Sequence, residues 1–288
     1  MELVGTLYLV ATPIGNLEDI TLRALRVLRE APLIAAEDTR HTRKLLAHFG
    51  ISTPTISYHQ HSPQARREQV LAALAAGDVA LVTDAGTPAL SDPGQELVRG
   101  ALAAGYPVVP LPGPAAAISA LVASGLPTDA FTFLGFLPRK SAARRAVLER
   151  FRTTPETLVL YEAPHRLSAT LADLRGVLGD REIAVARELT KLHEEWLRGP
   201  VSRIEEHYAG EAEPRGEYTL VVAGAAPGSE RAAPAAGSDV ARAEAARERL
   251  RVLLAEGLGT REAAARVARE LGLTRREVYR LALTLADE

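Results

Sequence analysis

Two stretches of the chain carry glycine and proline at the density of ligand-binding turns: residues 83–94, TDAGTPALSDPG, and residues 111–117, LPGPAAA. Proline fixes φ and removes a donor, while glycine lets a ligand touch the backbone. Such segments build a rigid cradle of main-chain groups rather than a cluster of reactive side chains. Each follows a short apolar run, VALV at 79–82 and VVPL at 108–111, of the kind buried on both faces of a parallel sheet. Both cradles should leave the carboxyl edge of one sheet, where α/β proteins bind ligands, and so form two walls of one pocket. Thr12-Pro13-Ile14-Gly15 follows a third run and adds a wall. Tight strand-to-helix connections use the same residues, but three of them at strand ends favour a ligand. The spacing is not G-x-G-x-x-G, and the chain has no G-x-x-x-x-G-K-[ST], so a dinucleotide or triphosphate site has no support.

The elements that would hold these loops alternate in type. Apolar runs at 7–11, 33–36, 55–58, 79–82 and 108–111 read as strands, and amphipathic stretches at 21–30, 41–49, 62–77 and 95–104 as helices. Gly50 stops the second helix, and Ser62-Pro63 supplies an N-cap and first-turn pair for the third. This βαβα order predicts an α/β domain over 1–112, a parallel sheet with helices on both faces. After a helix at 115–124 the pattern changes. Strands at 131–136, 157–161, 182–186 and 218–222, with helices at 142–151 and 166–178, predict a second α/β domain with a mixed sheet over 113–224. Ala, Gly, Pro and Ser dominate from 223 to 240, the composition of a flexible linker, placed at 225–240. Beyond it a small helical C-terminal module, 241–288, has helices at 243–256, 261–270 and 275–286, the last opened by the capping box Thr274-x-x-Glu277. Its spacing suits a helix-turn-helix bundle with a docking or RNA-contact role ahead of a DNA-reading one.

Composition narrows the chemistry. With 288 residues, 47% hydrophobic, the chain can bury a large core. It has no cysteine, which excludes disulfides, thiolate nucleophiles and Cys-ligated zinc. His41, His59 and His61 lie close in sequence, but in a polar stretch with Gln60 and Pro63, which argues against a metal site. No signal-peptide pattern and no apolar run of about 20 residues is present, so a cytoplasmic address without membrane contact is expected. A formal charge of −2 gives no global sign of nucleic-acid binding, so any such role must rest on local basic clusters.

Several motifs occur together in one order: LYLVATPIGNLEDI at 7–20, EDTRHTRK at 37–44, DAGTP at 84–88 with SDPG at 91–94, PGP at 112–114, GFLP at 135–138, YEAPHR at 161–166 and RELTK at 187–191. In this combination, spanning about residues 3–224, the chain resembles the small-subunit ribosomal RNA methyltransferase I family of the tetrapyrrole methylase superfamily. The resemblance implies a two-domain tetrapyrrole methylase-like fold with S-adenosylmethionine in the cleft between the domains, and a homodimer. It also implies methylation of the ribose 2′-hydroxyl of a cytidine in small-subunit ribosomal RNA within the assembled subunit. For cofactor contacts it implies Pro13, Gly15, Asp84, Gly86, Thr87, Pro88, Leu90, Gly113, Ala115, Ala116 and Tyr161. Thr87 stands where the superfamily more often has aspartate. A hydroxyl still donates and accepts hydrogen bonds, and Asp84 is expected to supply negative charge for a sulfonium.

Methyl transfer to a ribose hydroxyl needs an in-line methyl, removal of a proton and a channel for a nucleic-acid strand, and no metal. Glu37, Glu162, His165, Glu188 and Lys191 are candidates for the proton step. The sequence does not choose among them, and carboxylates beside arginines, such as Glu37 near Arg40, serve equally to position each other. Arg40, Arg43, Lys44, Arg139, Lys140, Arg144 and Arg145 are expected to form a focused patch for RNA phosphates. Aromatic residues are only 5%, so recognition of RNA shape within a particle is expected rather than a stacking platform. Two other readings keep the fold: a tetrapyrrole carbon as acceptor, disfavoured by the motifs at 37–44 and 161–166, and a non-catalytic ribosome assembly factor.

Overall fold

Five short strands of the first half, β1 Leu7–Val10, β2 Leu33–Ala36, β3 Thr55–Ser57, β4 Val79–Val82 and β5 Val108–Leu111, form one sheet of order β3-β2-β4-β1-β5. Every pairing in it is parallel. The computed structural model describes residues 5–60, 62–210, 214–226, 239–255, 258–271 and 278–282. The chain divides into two compact units, Met1–Ala225 and Ala226–Glu288.

Helices α1 Leu22–Glu30 and α2 Thr39–His48 cover one face of this sheet, through Ala24, Val27, Leu28, Leu45 and Leu46 against Ile34, Ala80 and Val82. Helices α3 Gln64–Leu74 and α4 Gln95–Ala103 cover the other, through Val70, Leu74, Leu97 and Ala101 against Leu7, Val79 and Leu81. All four residues of β4 are buried, which is why its sequence is a continuous apolar run. The Thr21 hydroxyl accepts the Ala24 N–H at 3.0 Å and starts α1. Asp38 accepts the Arg40 N–H at 2.8 Å, so α2 begins two residues before the predicted start. Helix α3 also differs from its expected limits. The Ser62 hydroxyl accepts the His59 N–H in a preceding turn, Pro63 takes the cap position without a side-chain bond, and the helix ends at Leu74.

The second sheet contains β6 Phe131–Phe136, β7 Thr157–Glu162, β8 Glu182–Arg187, β9 Glu195–Pro200 and β10 Tyr218–Val222 in the order β6-β7-β10-β8-β9. Strands β6 and β7 are parallel and the other pairs antiparallel, so the sheet is mixed. A bulge between Phe133 and Gly135 bends β6. Helix α5 Ala116–Ala123 packs Ala117, Ala120 and Leu121 on one face of this sheet. Helices α6 Ser141–Glu149, α7 Leu167–Leu178 and α8 Val201–Ala209 bury the other face through Leu148, Leu171, Leu174 and Ile204. Strand β9 and helix α8 are absent from the sequence reading. An edge strand of sequence EWLRGP, no residue of which is fully buried, gives neither an alternating nor a continuous apolar signal.

In the C-terminal unit, α9 Asp239–Ala255 packs on α10 Thr260–Leu271 through Ala246, Leu250, Leu253, Ala263 and Val267, joined by Val278 and Ala282. Residues 278–282 are helical. The predicted capping box at 274–277 and most of the predicted linker lie outside the described residues. Just before and at the start of the stretch expected to be a linker, the Ala223 N–H donates to the Glu182 carbonyl and the Ala225 N–H to the Thr154 carbonyl. No described helix is long and apolar enough to cross a membrane.

Candidate functional site

Strands β4, β1 and β5 are neighbours, so their carboxyl ends release the three glycine- and proline-bearing loops side by side. Hydrogen bonds join these loops. Thr12 and Gly86 exchange backbone N–H···O bonds of 2.9 and 3.0 Å, and the Thr12 hydroxyl donates to the Thr83 carbonyl at 3.1 Å. The Thr87 hydroxyl donates to the Pro114 carbonyl at 3.1 Å, tying the loop after β4 to the loop after β5. Gly86, at φ +76°, takes a conformation that a side chain would strain. Ala89 and Ser91 adopt left-handed φ values of 68° and 63° without being glycine, backbone strain of the sort that concentrates at functional sites.

The second sheet meets these loops with the carboxyl ends of its two parallel strands. Tyr161 on β7 stacks edge-on against Phe133, and its hydroxyl oxygen accepts the Ala117 N–H at 3.2 Å, one of the otherwise unpaired donors of the first turn of α5. Burial pushes the Tyr161 phenol up from its ordinary value. Between the sheets lies a cavity of about 360 Å³ lined by Ile14, Gly86, Thr87, Leu90, Ala116 and Tyr161, with Asp92, Glu162, Glu217 and Thr219 also on its wall.

Six of the residues expected at the site thus share one cavity: Gly86, Thr87, Leu90, Ala116, Tyr161 and Glu162. The others fall elsewhere. Pro13 and Asp84 line a smaller cavity of about 140 Å³ beside His41 and Lys44, because the Asp84 carboxylate is drawn back to accept the Asp38 N–H at 3.1 Å. Gly15 lies under the 188–191 turn, where a Cβ would run into Lys191 Cγ and come within 2.9 Å of the Leu189 carbonyl. Pro88 is buried within its loop, Gly113 backs onto Ala11, and Ala115 is the cap residue of α5. The sequence reading missed Asp92, although it lies in the SDPG motif.

The proton-transfer candidates separate on burial and partners. Glu162 is fully buried, accepts the Ala163 N–H at 2.8 Å and the Thr170 hydroxyl, and lies 3.2 Å from Arg166 Nε, so its carboxylate is committed to holding the end of β7. His165 is exposed and lines none of the cavities described here. Glu188 and Glu217 both bind the Lys191 ammonium, at 2.8 and 2.7 Å. Against burial, which raises it, the Lys191 ammonium and the Glu217 N–H hold the Glu188 carboxyl below its usual value. Glu37 accepts the Asp84 N–H at 3.3 Å, and burial, with Asp84 nearby, raises its pKa. Asp92 is pushed further, to about 7, by burial and by the like charges of Glu37 and Asp84.

Of the basic residues, Arg43, Lys44, Arg139 and Lys140 are exposed. Arg40 is exposed but doubly hydrogen-bonded to Asp38, at 3.1 and 2.7 Å, which holds that carboxyl far below the ordinary range. Arg144 departs from the expectation of a phosphate contact. It is 3% exposed and pairs with Asp173 at 2.6 Å, because position 144 falls on the face of α6 that packs on α7. Arg145 lies 3.5 Å from the same carboxylate. His59 lines a separate polar cavity, His41 the small one, and His61 lies outside the described residues.

A parallel sheet with three stitched loops at its carboxyl edge, facing a mixed sheet across an apolar cavity, defines a class. Residues 6–205 match the family model described as Tetrapyrrole (Corrin/Porphyrin) Methylases, and the chain belongs to that family. Among solved structures, uroporphyrin-III C-methyl transferase from Thermus thermophilus complexed with S-adenyl homocysteine is similar at 25% identity and a TM-score of 0.53. That match covers 76% of this chain and 97% of the other. Diphthine synthase, at 14% identity and a TM-score of 0.59, shares the fold.

Within that family, the chain is a member of the ribosomal RNA small subunit methyltransferase I group. The so-named protein of Synechocystis sp. is 50% identical over 98% of this chain and 99% of its own, and that of Pseudomonas aeruginosa 48% identical over 97% of each. Residues 240–286 match the model of the RsmI C-terminal HTH domain.

Proposed function

We propose that this chain transfers a methyl group from S-adenosylmethionine to the ribose 2′-hydroxyl of a cytidine in small-subunit ribosomal RNA, on the assembled subunit and as a homodimer. One observation carries the reading: the cavity lined by Gly86, Thr87, Ala116 and Tyr161 opens at the joined loops of a chain half identical, end to end, to proteins named for ribosomal RNA methylation.

The cavity suits the cofactor. Ile14, Leu90 and Ala116 give an apolar surface for the adenosyl group, the backbone of 85–91 offers main-chain polar groups, and Asp92 places a carboxylate where a cationic sulfonium gains from one. Gly86, Thr87, Leu90, Ala116 and Tyr161 would hold it. Bound there, S-adenosylmethionine supplies an electrophilic methyl carbon. The protein's part is to fix the two reactants in line, exclude water and receive a proton.

Exposed Arg43, Lys44, Arg139 and Lys140 follow strands β2 and β6 and would contact phosphates. Ile118 and Val122, exposed and one turn apart on α5, offer an apolar stripe to a second copy.

The test is transfer of labelled methyl from S-adenosylmethionine into assembled small subunits that lack the modification, with the product nucleoside identified by mass. Label on the ribose of cytidine is expected. No incorporation, or label on a base, overturns the reading.

A further inference from the structure

The loop that walls the apolar cavity has a second side. Behind it lies a larger cavity of about 580 Å³, bounded by the loop after β3, the first turn of α3 and the start of α4. Its lining is polar where the first is apolar: Tyr58, Gln64, Arg67 and Gln95 contribute a phenol, two amides and a guanidinium. The residues common to both linings are Ser91 and Asp92. Ser91 is one of the two left-handed non-glycine residues of this loop, and its hydroxyl lies against Gly135, where a Cβ would approach to 2.7 Å; Gly94, also at positive φ, closes the turn. The partition thus runs from the loop after β4 to strand β6 of the second sheet. Asp92 accepts no hydrogen bond from any described residue, in contrast to Glu162 and Glu188, whose oxygens are occupied.

We propose that the polar cavity receives the acceptor nucleoside of the RNA, and that Asp92, at the junction of the two cavities, takes the proton of its ribose hydroxyl. This rests on the methyltransferase reading above. A cytidine swung out of a single-stranded segment presents a base edge that amides and hydroxyls read, and phosphates that a guanidinium holds. The amide-rich lining offers those partners. As the new oxygen–carbon bond forms, the O–H bond breaks and its proton passes to the Asp92 carboxylate. The carbon–sulfur bond of the donor breaks with its electron pair left on sulfur, so charge and atoms balance without a further reactant.

The groups around Asp92 agree with that role. Burial raises its proton affinity, as do the like charges of Glu37 beyond β2 and Asp84 beyond β4. His59, Arg67 and Glu96 face the polar cavity, while Tyr161, Glu162 and Glu217 face the apolar one. The result, about 7, suits a base working near neutral pH. A base must be ionised, so the rate should rise with pH and then level, its midpoint drawn below that value by the sulfonium charge that Asp92 faces.

The experiment uses the full chain in three forms: unaltered, Asp92→Asn, and the double variant Gln64→Ala with Arg67→Ala. Single-turnover transfer to unmodified small subunits is followed from about pH 5.5 to 8.5, a window that brackets the titration of the base. Calorimetry with S-adenosylhomocysteine and equilibrium binding of subunits without cofactor supply readouts apart from activity. For Asp92→Asn we expect the rate to fall about 100-fold or more and the rising limb to vanish, with product affinity within about threefold. The double variant should bind subunits about tenfold more weakly with product affinity unchanged. An Asp92→Asn form that keeps the rate or the limb overturns the assignment of the base, and a double variant that binds subunits normally overturns the nucleoside cavity. If the unaltered chain itself puts no label on ribose, the function is wrong and this inference falls with it; that outcome differs visibly from loss of the variant effects alone.

Discussion

Arg144 and Asp173 meet where both side chains are less than a tenth exposed, and the same carboxylate accepts the Ser141 hydroxyl at 2.9 Å. Removing one member of such a pair leaves a charge buried without its counter-ion. Asp173→Ala should therefore cost about 3–5 kcal/mol of stability, measured by denaturant unfolding, while S-adenosylhomocysteine affinity at low temperature stays unchanged. A direct phosphate contact from Arg144 would instead show as weaker RNA binding with little loss of stability. Side-chain direction is what the sequence did not disclose here. Arg144 and Arg145 are adjacent in an exposed-looking RR pair, and only the packing of α6 on α7 turns the first inward. Asp84 and Asp92 pose the same difficulty. Both flank one loop, and which carboxylate reaches the cavity depends on the Asp38 N–H that holds Asp84 back.

At the level of elements, the loop 12–16 and the turn 188–191 belong to different sheets and touch through the bare Cα of Gly15. Gly15→Ala forces a Cβ against the Leu189 carbonyl and Thr190 Oγ1, at 2.9 and 2.8 Å, so backbone as well as side chain must yield. Overpacking of this kind costs about 1–3 kcal/mol. The shift should also lower S-adenosylhomocysteine affinity by about tenfold, since Ile14 lines the cavity next door; calorimetry and a melting curve on the same sample would show both. Unchanged affinity would mean that the contact is only structural. The strands of the parallel sheet were plain in the sequence because burial on both faces leaves continuous apolar runs such as VALV and LIAA. Helix α8 carries Val201, Ile204 and Tyr208 on one face, a legible stripe, but it directly follows the half-covered edge strand β9, whose pattern announces nothing.

For the whole molecule, a charge of −2 means that attraction to RNA must come from local groups. Arg43 and Lys44 are exposed on α2, while Arg40 already serves Asp38. Replacing Arg43 and Lys44 together with Ala should weaken binding of small subunits and flatten its salt dependence by roughly 0.7 in slope for each phosphate left without its cation. Arg40→Ala should change it less, and product affinity should stay constant in both. Equal losses in both affinities would indicate structural damage instead. At this scale the sequence was most informative: alternation of runs gave two layered sheets and a helical tail, and the ordered motifs gave the family.

Strand β10 follows all the other strands in the chain, yet it lies in the middle of the second sheet, hydrogen-bonded to β7 on one side and β8 on the other. During synthesis, the inner edges of β7 and β8 lack the strand that joins them until residue 222 has emerged. Tyr218 and Thr219, which that final strand brings to the cavity wall, arrive last of all. A growing chain thus closes the last wall of its ligand chamber only when this strand is inserted.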